Sequence, residues 1–239
     1  MIAIIVVLIL AAGSVMAQQV LASTSWTAGF ALLAGATDVD VLAPYEFSHP
    51  PEYELRPSDI RRAAEADLVV YAGYEVMVPR LLESIQGTNA APLQIVTAHA
   101  WPVLTASVRA IAQELGTQVT AEATLAELRA SLDDWANQIA ESEYAGVPVV
   151  ANFHQQALAR EIGLNVVGVF GPAPLEAQQI RDLSELHPVL IIDNGHNPMA
   201  MPLEETTNAR LVTWYNFPGV DGTRTIQDIF ALNRRALEE

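Results

Sequence analysis

The sequence predicts an α/β protein of two lobes, each built on a mainly parallel sheet, joined by a long helical linker. Short apolar, β-branched runs alternate with helix-patterned stretches on both sides of the chain's middle, the signature of βαβ units. Between them, residues 103–145 carry helical periodicity and no strand-like run. Hydrophobic residues make up 51% of the 239-residue chain, enough for a packed core in each lobe.

The elements follow in order. MIAIIVVLILAAGSVMAQQV holds an apolar run from Ile2 to Ala12, shorter than the roughly 20 residues that span a bilayer. Val15 and Ala17 then give a small-x-small pattern before Gln18. This is a secretory signal pattern that lacks only a Lys or Arg ahead of the run, so residues 1–17 are an expected signal peptide. Strand-like Gln18–Thr24 precedes the helical WTAGFALLAGA, and DVDVLAPY leads into the loop YEFSHPPEYELRPSD. Ser58 is expected to cap the helix SDIRRAAEA. DLVVYAG with VPRLLESI, and LQIVTAH with the start of LTASVRAIAQEL, complete an N-terminal lobe over residues 18–102.

In the linker, residues 103–145, Leu125, Leu128, Leu132, Trp135 and Ile139 form one helix stripe. Thr124 followed by Glu127 reads as a capping box opening that helix. A C-terminal lobe over 146–239 repeats the alternation with VPVVANF, LNVVGVF, PVLIIDN and ARLVTWY. TIQDIFALNRRALEE closes it as an amphipathic helix with Asp228 and Asn233 on the polar side.

Charge and composition exclude several functions. The 28 acidic residues outweigh 12 basic ones, all Arg, for a net charge of -16. Such a balance is unsuited to nucleic acid or an anionic membrane and suits a cationic ligand. The chain has no Cys, which removes disulfides, thiolate metal sites and cysteine nucleophiles. It also carries no G-x-S-x-G elbow, P-loop, G-x-G-x-x-G or H-E-x-x-H.

The informative feature is where the histidines fall. His99 follows the strand-like LQIVT, His154 follows VPVVAN, His196 follows VLIIDN, and Asn216 follows RLVTWY. His49 follows DVDVLAP by one loop, ahead of two prolines that hold it in extended backbone. Parallel sheets bind ligands at the carboxyl ends of their strands, which is where these residues lie. His187 precedes its strand and reads as an ordinary loop residue. Spacing adds nothing: 50 residues from His49 to His99 and 55 from His99 to His154 match no compact metal motif. Imidazole suits zinc and other borderline metals, and the positive end of the helix HQQALAREIG would favour a neutral ring at His154.

The segments SHPPEYELRPSDIRRAAEADLVVYAG, HAWPVLTASVRAIAQEL and VPVVANFHQQALAREIGLNVVGV resemble the three ligand-bearing segments of the exported zinc- or manganese-binding receptors of ABC importers. That resemblance covers most of the chain after residue 17. It implies a metal cleft between the lobes, with His49, His99 and His154 as ligands and zinc favoured over Mn2+ by the third histidine. It also implies high-affinity extracytoplasmic capture of a divalent metal for an ABC permease, as a monomer. With no cysteine to carry a lipid anchor, a free periplasmic protein is expected.

The chain departs from the family where an aspartate commonly supplies a fourth ligand. In TWYNFPGVDG that place falls to Asn216, with Asp221 five residues on. The last position stays open between Asn216, Asp221, His196 and a water. Asn216 reads equally well as a turn residue before Phe217–Pro218, and His196 as a loop residue in DNGHNP. Glu52, Tyr53 and Glu54 read as surface of the His49 loop or as a brace on its ring. The four tryptophans, Trp26, Trp101, Trp135 and Trp214, read as core or lobe-interface anchors. Two other readings compete: a receptor-like fold whose weakened site binds another ligand, and a zinc-dependent hydrolase.

Overall fold

The computed structural model describes residues 18–47 and 49–239, so the expected signal peptide lies outside the described residues. The N-terminal sheet is built from β1 (Gln19–Ala22), β2 (Asp38–Val41), β3 (Leu68–Tyr71) and β4 (Ala91–Gln94) in the order β2-β1-β3-β4. The C-terminal sheet repeats it with β5 (Pro148–Asn152), β6 (Asn165–Phe170), β7 (Leu190–Asn194) and β8 (Arg210–Trp214) in the order β6-β5-β7-β8. Every pairing in both sheets is parallel. In each, the chain leaves its first strand to one side and returns to the other, creating a crevice at the carboxyl ends.

Nine α-helices connect and cover the sheets among the described residues. Six are α1 (Ser25–Leu33), α2 (Pro57–Glu65), α3 (Val78–Ser84), α6 (Gln156–Glu161), α7 (Ala177–Ser184) and α8 (Met201–Thr206). The remaining three, α4 (Trp101–Leu115), α5 (Gln118–Glu141) and α9 (Ile226–Glu238), are the long ones. Gly116, at φ 70°, closes α4 in the left-handed conformation, and α5 starts two residues later.

α5 bonds to both lobes. Near its start Thr117 Oγ1 and Thr124 Oγ1 each donate to α1, to the carbonyls of Ala34 and Leu33 at 2.5 Å. Further on, Arg129 pairs with Glu161 at 2.5 Å, and Trp135 packs against Trp214 with ring centroids 5.4 Å apart. The stripe Leu125, Leu128, Leu132, Trp135 and Ile139 is buried, as its periodicity predicts. A single hydrophobic cluster runs from Phe30 and Leu104 through this stripe to Trp214 and Phe230.

Three local expectations need correcting. Thr124 does not open α5; the helix begins at Gln118, and the Thr124 hydroxyl donates to carbonyls of α1 and of its own helix. Ser58 does not cap α2. That helix starts at Pro57, and Asp59 accepts the Arg56 N–H at 2.8 Å. Asn233 is not on a polar face: it is wholly buried, with a role described below.

Candidate metal centre

Residues just past the carboxyl ends of seven strands surround one cavity of about 480 Å³. Thr24 and Trp26 come from the β1 end, His49 and its two prolines from β2, Ala72 and Tyr74 from β3. Val96 and Thr97 follow β4, and Phe153 and His154 follow β5. Asn194 and His196 come from β7, and Asn216 and Phe217 from β8. Nine of the seventeen wall residues are aromatic or aliphatic and the other eight are His, Asn or Thr, a mixture of apolar faces and polar groups that small-molecule and ion sites use.

Each candidate is held by local structure. The loop carrying His49 makes a single 3-10 turn over Pro50–Glu52, and the Val76 N–H bonds the Pro51 carbonyl at 2.9 Å. His49 itself is exposed at the cavity rim. Tyr53 is no brace for its ring: Tyr53 is buried and donates its hydroxyl to Asp59 at 2.8 Å.

β4 ends at Gln94, earlier than LQIVTAH predicts, so His99 sits on a loop two residues ahead of α4. Ser107 Oγ clamps that loop from α4, donating to the Val96 carbonyl at 2.9 Å and accepting its N–H at 3.2 Å. His99 is only 4% exposed, and both ring nitrogens are buried without a hydrogen-bond partner. Its ring lies edge-on to Trp26 at 5.9 Å and to Phe230 at 4.9 Å. Burial, with a smaller contribution from His154, lowers its pKa to about 4. The ring is neutral at pH 7.

His154 follows an Asx-type turn in which its N–H bonds Asn152 Oδ1 at 3.0 Å. α6 begins at Gln156 and spans only six residues, so burial rather than a helix end lowers the His154 pKa. Trp26 faces it as well, with ring centroids 6.3 Å apart.

His196 takes a built position rather than a loose loop. Its ring stacks on Phe217 at 3.4 Å, and Nε2 lies 3.2 Å from the Phe217 carbonyl. That carbonyl can only accept, so the Nε2 proton points to it and the Nδ1 lone pair is left free. Burial pushes this imidazole down to about 4, against the raising effect of the carbonyl bond.

Asn216 is 2% exposed, and its Oδ1 has no partner. Its neighbour Tyr215 is gripped by Asn233 of α9, which accepts the Tyr215 N–H and donates to its carbonyl, both at 2.8 Å. Asp221 is exposed on a turn at φ 48°, and it is absent from the cavity wall. His187, also at φ 48°, is exposed at the opposite end of β7 from His196.

The cavity thus gathers His49, His154, His196 and Asn216, while His99 is buried outside its wall against Trp26 and Phe230. Among the described residues, no three His, Cys, Asp or Glu side chains stand close enough together to hold an ion as they are. Several positioning residues carried no signal in the sequence. Gln155, fully buried, donates to Asn194 Oδ1 and the Trp214 carbonyl and ties three strand ends together. The Asn-Gly and Asn-Pro of DNGHNP give only a turn; the His196 stack on Phe217 depends on the tertiary fold.

No protein-family model matches the chain, and no curated protein matches it. Solved structures do. The laminin-binding protein Lbp of Streptococcus pyogenes aligns over 93% of this chain and 98% of its own at 16% identity, TM-score 0.70. The SBP FpvC of Pseudomonas aeruginosa, solved with Mn2+, aligns over 93% and 97% at 20% identity, TM-score 0.70. A periplasmic metal-binding protein of candidatus liberibacter asiaticus aligns over 92% and 98% at 15% identity, TM-score 0.66. The chain therefore has the two-lobed α/β fold of these metal-binding and substrate-binding proteins, two parallel four-stranded sheets joined through helix.

Proposed function

We propose that this chain is an exported receptor that captures a divalent transition metal, zinc in preference, and delivers it to an ABC permease. The observation that carries the reading is His99: an enclosed, neutral imidazole with two unpartnered nitrogens beside a histidine-lined cavity. A buried polar group without a partner costs about 1–3 kcal/mol, a cost that a bound ion would offset. His99 and His154 are the ligands this reading relies on most, with His49 swinging in from the rim. His196 is the stronger candidate for a fourth, because its Nε2–H is already committed to a carbonyl, the arrangement that fixes metal-binding imidazoles. Asn216 offers an amide oxygen as a weaker alternative. A set of imidazoles favours zinc over manganese, which prefers carboxylate and water oxygens.

Supporting evidence from outside the chain is the fold shared with FpvC, solved with Mn2+ and with Ni2+, and with periplasmic metal-binding proteins. The test is a melting scan with zinc and with a chelator. Zinc at a hundredfold excess over its dissociation constant should add about 2.7 kcal/mol, or about 5–10 °C at this chain length. His99→Ala should abolish most of that shift, and His187→Ala should leave it intact. An unchanged melting curve in the wild type would refute the proposal.

A further inference from the structure

Resting on the receptor reading above, we infer that the cavity accepts zinc as a small chelate, the ion arriving with a carboxylate-bearing organic ligand rather than bare. Three observations point there. The first is charge. No Asp or Glu is among the described residues lining the cavity. Two acids adjoin the wall, and both are committed elsewhere: Glu75 accepts from Ser23, Ala72 N and Gly73 N, and Asp193 accepts the N–H groups of Asn194, Met199 and Ala200. A dication held by imidazoles and an amide keeps its full charge in an apolar enclosure, which is expensive. A carboxylate carried in by the ligand neutralises it.

The second is the presence of donors that a bare cation cannot use. Trp26 lines the cavity, and its Nε1–H is buried without an acceptor. An indole N–H can only donate, so its natural partner is an anionic or carbonyl oxygen. The Thr97 and Tyr74 hydroxyls, on the same wall, bond each other at 3.0 Å, and since only one of them donates in that bond the pair keeps one proton for a ligand.

The third is space. A volume of about 480 Å³ lies in the size class of organic-ligand sites, roughly 300–1,000 Å³. Trp26, Phe153 and Phe217 supply flat apolar faces for a ligand's carbon skeleton. As placed, no three His, Cys, Asp or Glu side chains among the described residues converge on one point, and an ion held by fewer of them keeps positions for the ligand's oxygens or nitrogens.

Zinc titrations of the purified full chain, alone and with citrate or L-histidine, decide the matter, with native mass spectrometry to weigh the complex. For a receptor of bare zinc, either chelator competes and weakens the apparent affinity. For a chelate receptor, at least one should strengthen it about tenfold and give a mass of protein plus zinc plus chelator. The two arms separate a hydroxy acid from an amino acid. Trp26→Phe should cut the chelator-dependent gain about tenfold, the loss of one charge-assisted hydrogen bond. Zinc binding that both chelators only weaken would overturn the inference and leave the receptor reading standing. Equal binding of citrate or L-histidine without zinc would overturn it too. Failure of zinc to bind in every arm would sink both.

Discussion

His99 spends its burial on nothing within the described chain. An imidazole in an apolar pocket loses hydration at two nitrogens, and here neither recovers a hydrogen bond. This has a consequence for the metal-free protein that can be measured. Unfolded, the side chain titrates near 6.5; folded, burial holds it at about 4. Between those values the unfolded state binds more protons, so stability rises with pH through the window. Below about 4 both states are protonated, and above 6.5 neither is. Urea denaturation with a chelator present should therefore lose about 3 kcal/mol from this residue as pH falls from 6.5 to 4. His99→Leu should flatten that part of the curve. A wild-type curve already flat there would show that His99 is solvated or partnered. His196, also held near 4 by burial, adds in the same direction.

At the scale of elements, several parts of the site are placed by clamps reaching from a neighbouring helix or strand. Ser107 on α4 fixes the loop before His99, Gln155 joins the ends of β5, β7 and β8, and Asn233 on α9 holds Tyr215 beside Asn216. Gly219 allows a close approach between the lobes: at φ 135°, a Cβ there would stand 2.3 Å from the Tyr45 carbonyl oxygen. Replacing Asn233 with Leu leaves the Tyr215 N–H and carbonyl without partners, at an expected cost of about 2–4 kcal/mol in urea denaturation. Zinc affinity should fall with it, because Asn216 and Phe217 lose their anchor. Wild-type affinity in a destabilised Asn233→Leu protein would mean that the β8 loop takes no part in the site.

The same clamps explain what the sequence leaves hidden. Alternating β-branched and helical runs locate seven of the eight strands and place β4 too late, at LQIVTAH instead of Ala91–Gln94, because period and composition are local properties. Histidines at strand ends are legible for the same reason. Caps are not: Thr124 with Glu127 satisfies the capping pattern, yet the Thr124 hydroxyl finds the Leu33 carbonyl of another helix. Asn233 sits among charged residues near the chain's end and reads as surface until α9 folds against β8. Trp26 announces itself only as a large apolar residue; its orphaned N–H beside a histidine cavity is a fact of tertiary structure.

For the whole molecule, the question is how rigid the frame around the cavity is. One apolar cluster runs through α5 into both lobes, so the sheets are joined by core packing rather than by a loose tether. Ligand capture then falls to side chains and to the loops at the strand ends, with His49 exposed at the rim. The acidic surface, net charge -16, draws cations toward a cavity whose own wall is uncharged among the described residues. The most direct test is anomalous diffraction at the zinc edge from crystals grown with zinc. The account predicts a single strong peak in this cavity, about 2.0–2.1 Å from nitrogens of both His99 and His154. A peak bonded only to surface carboxylates, or a cavity with no zinc while His99 stays buried and alone, would contradict it.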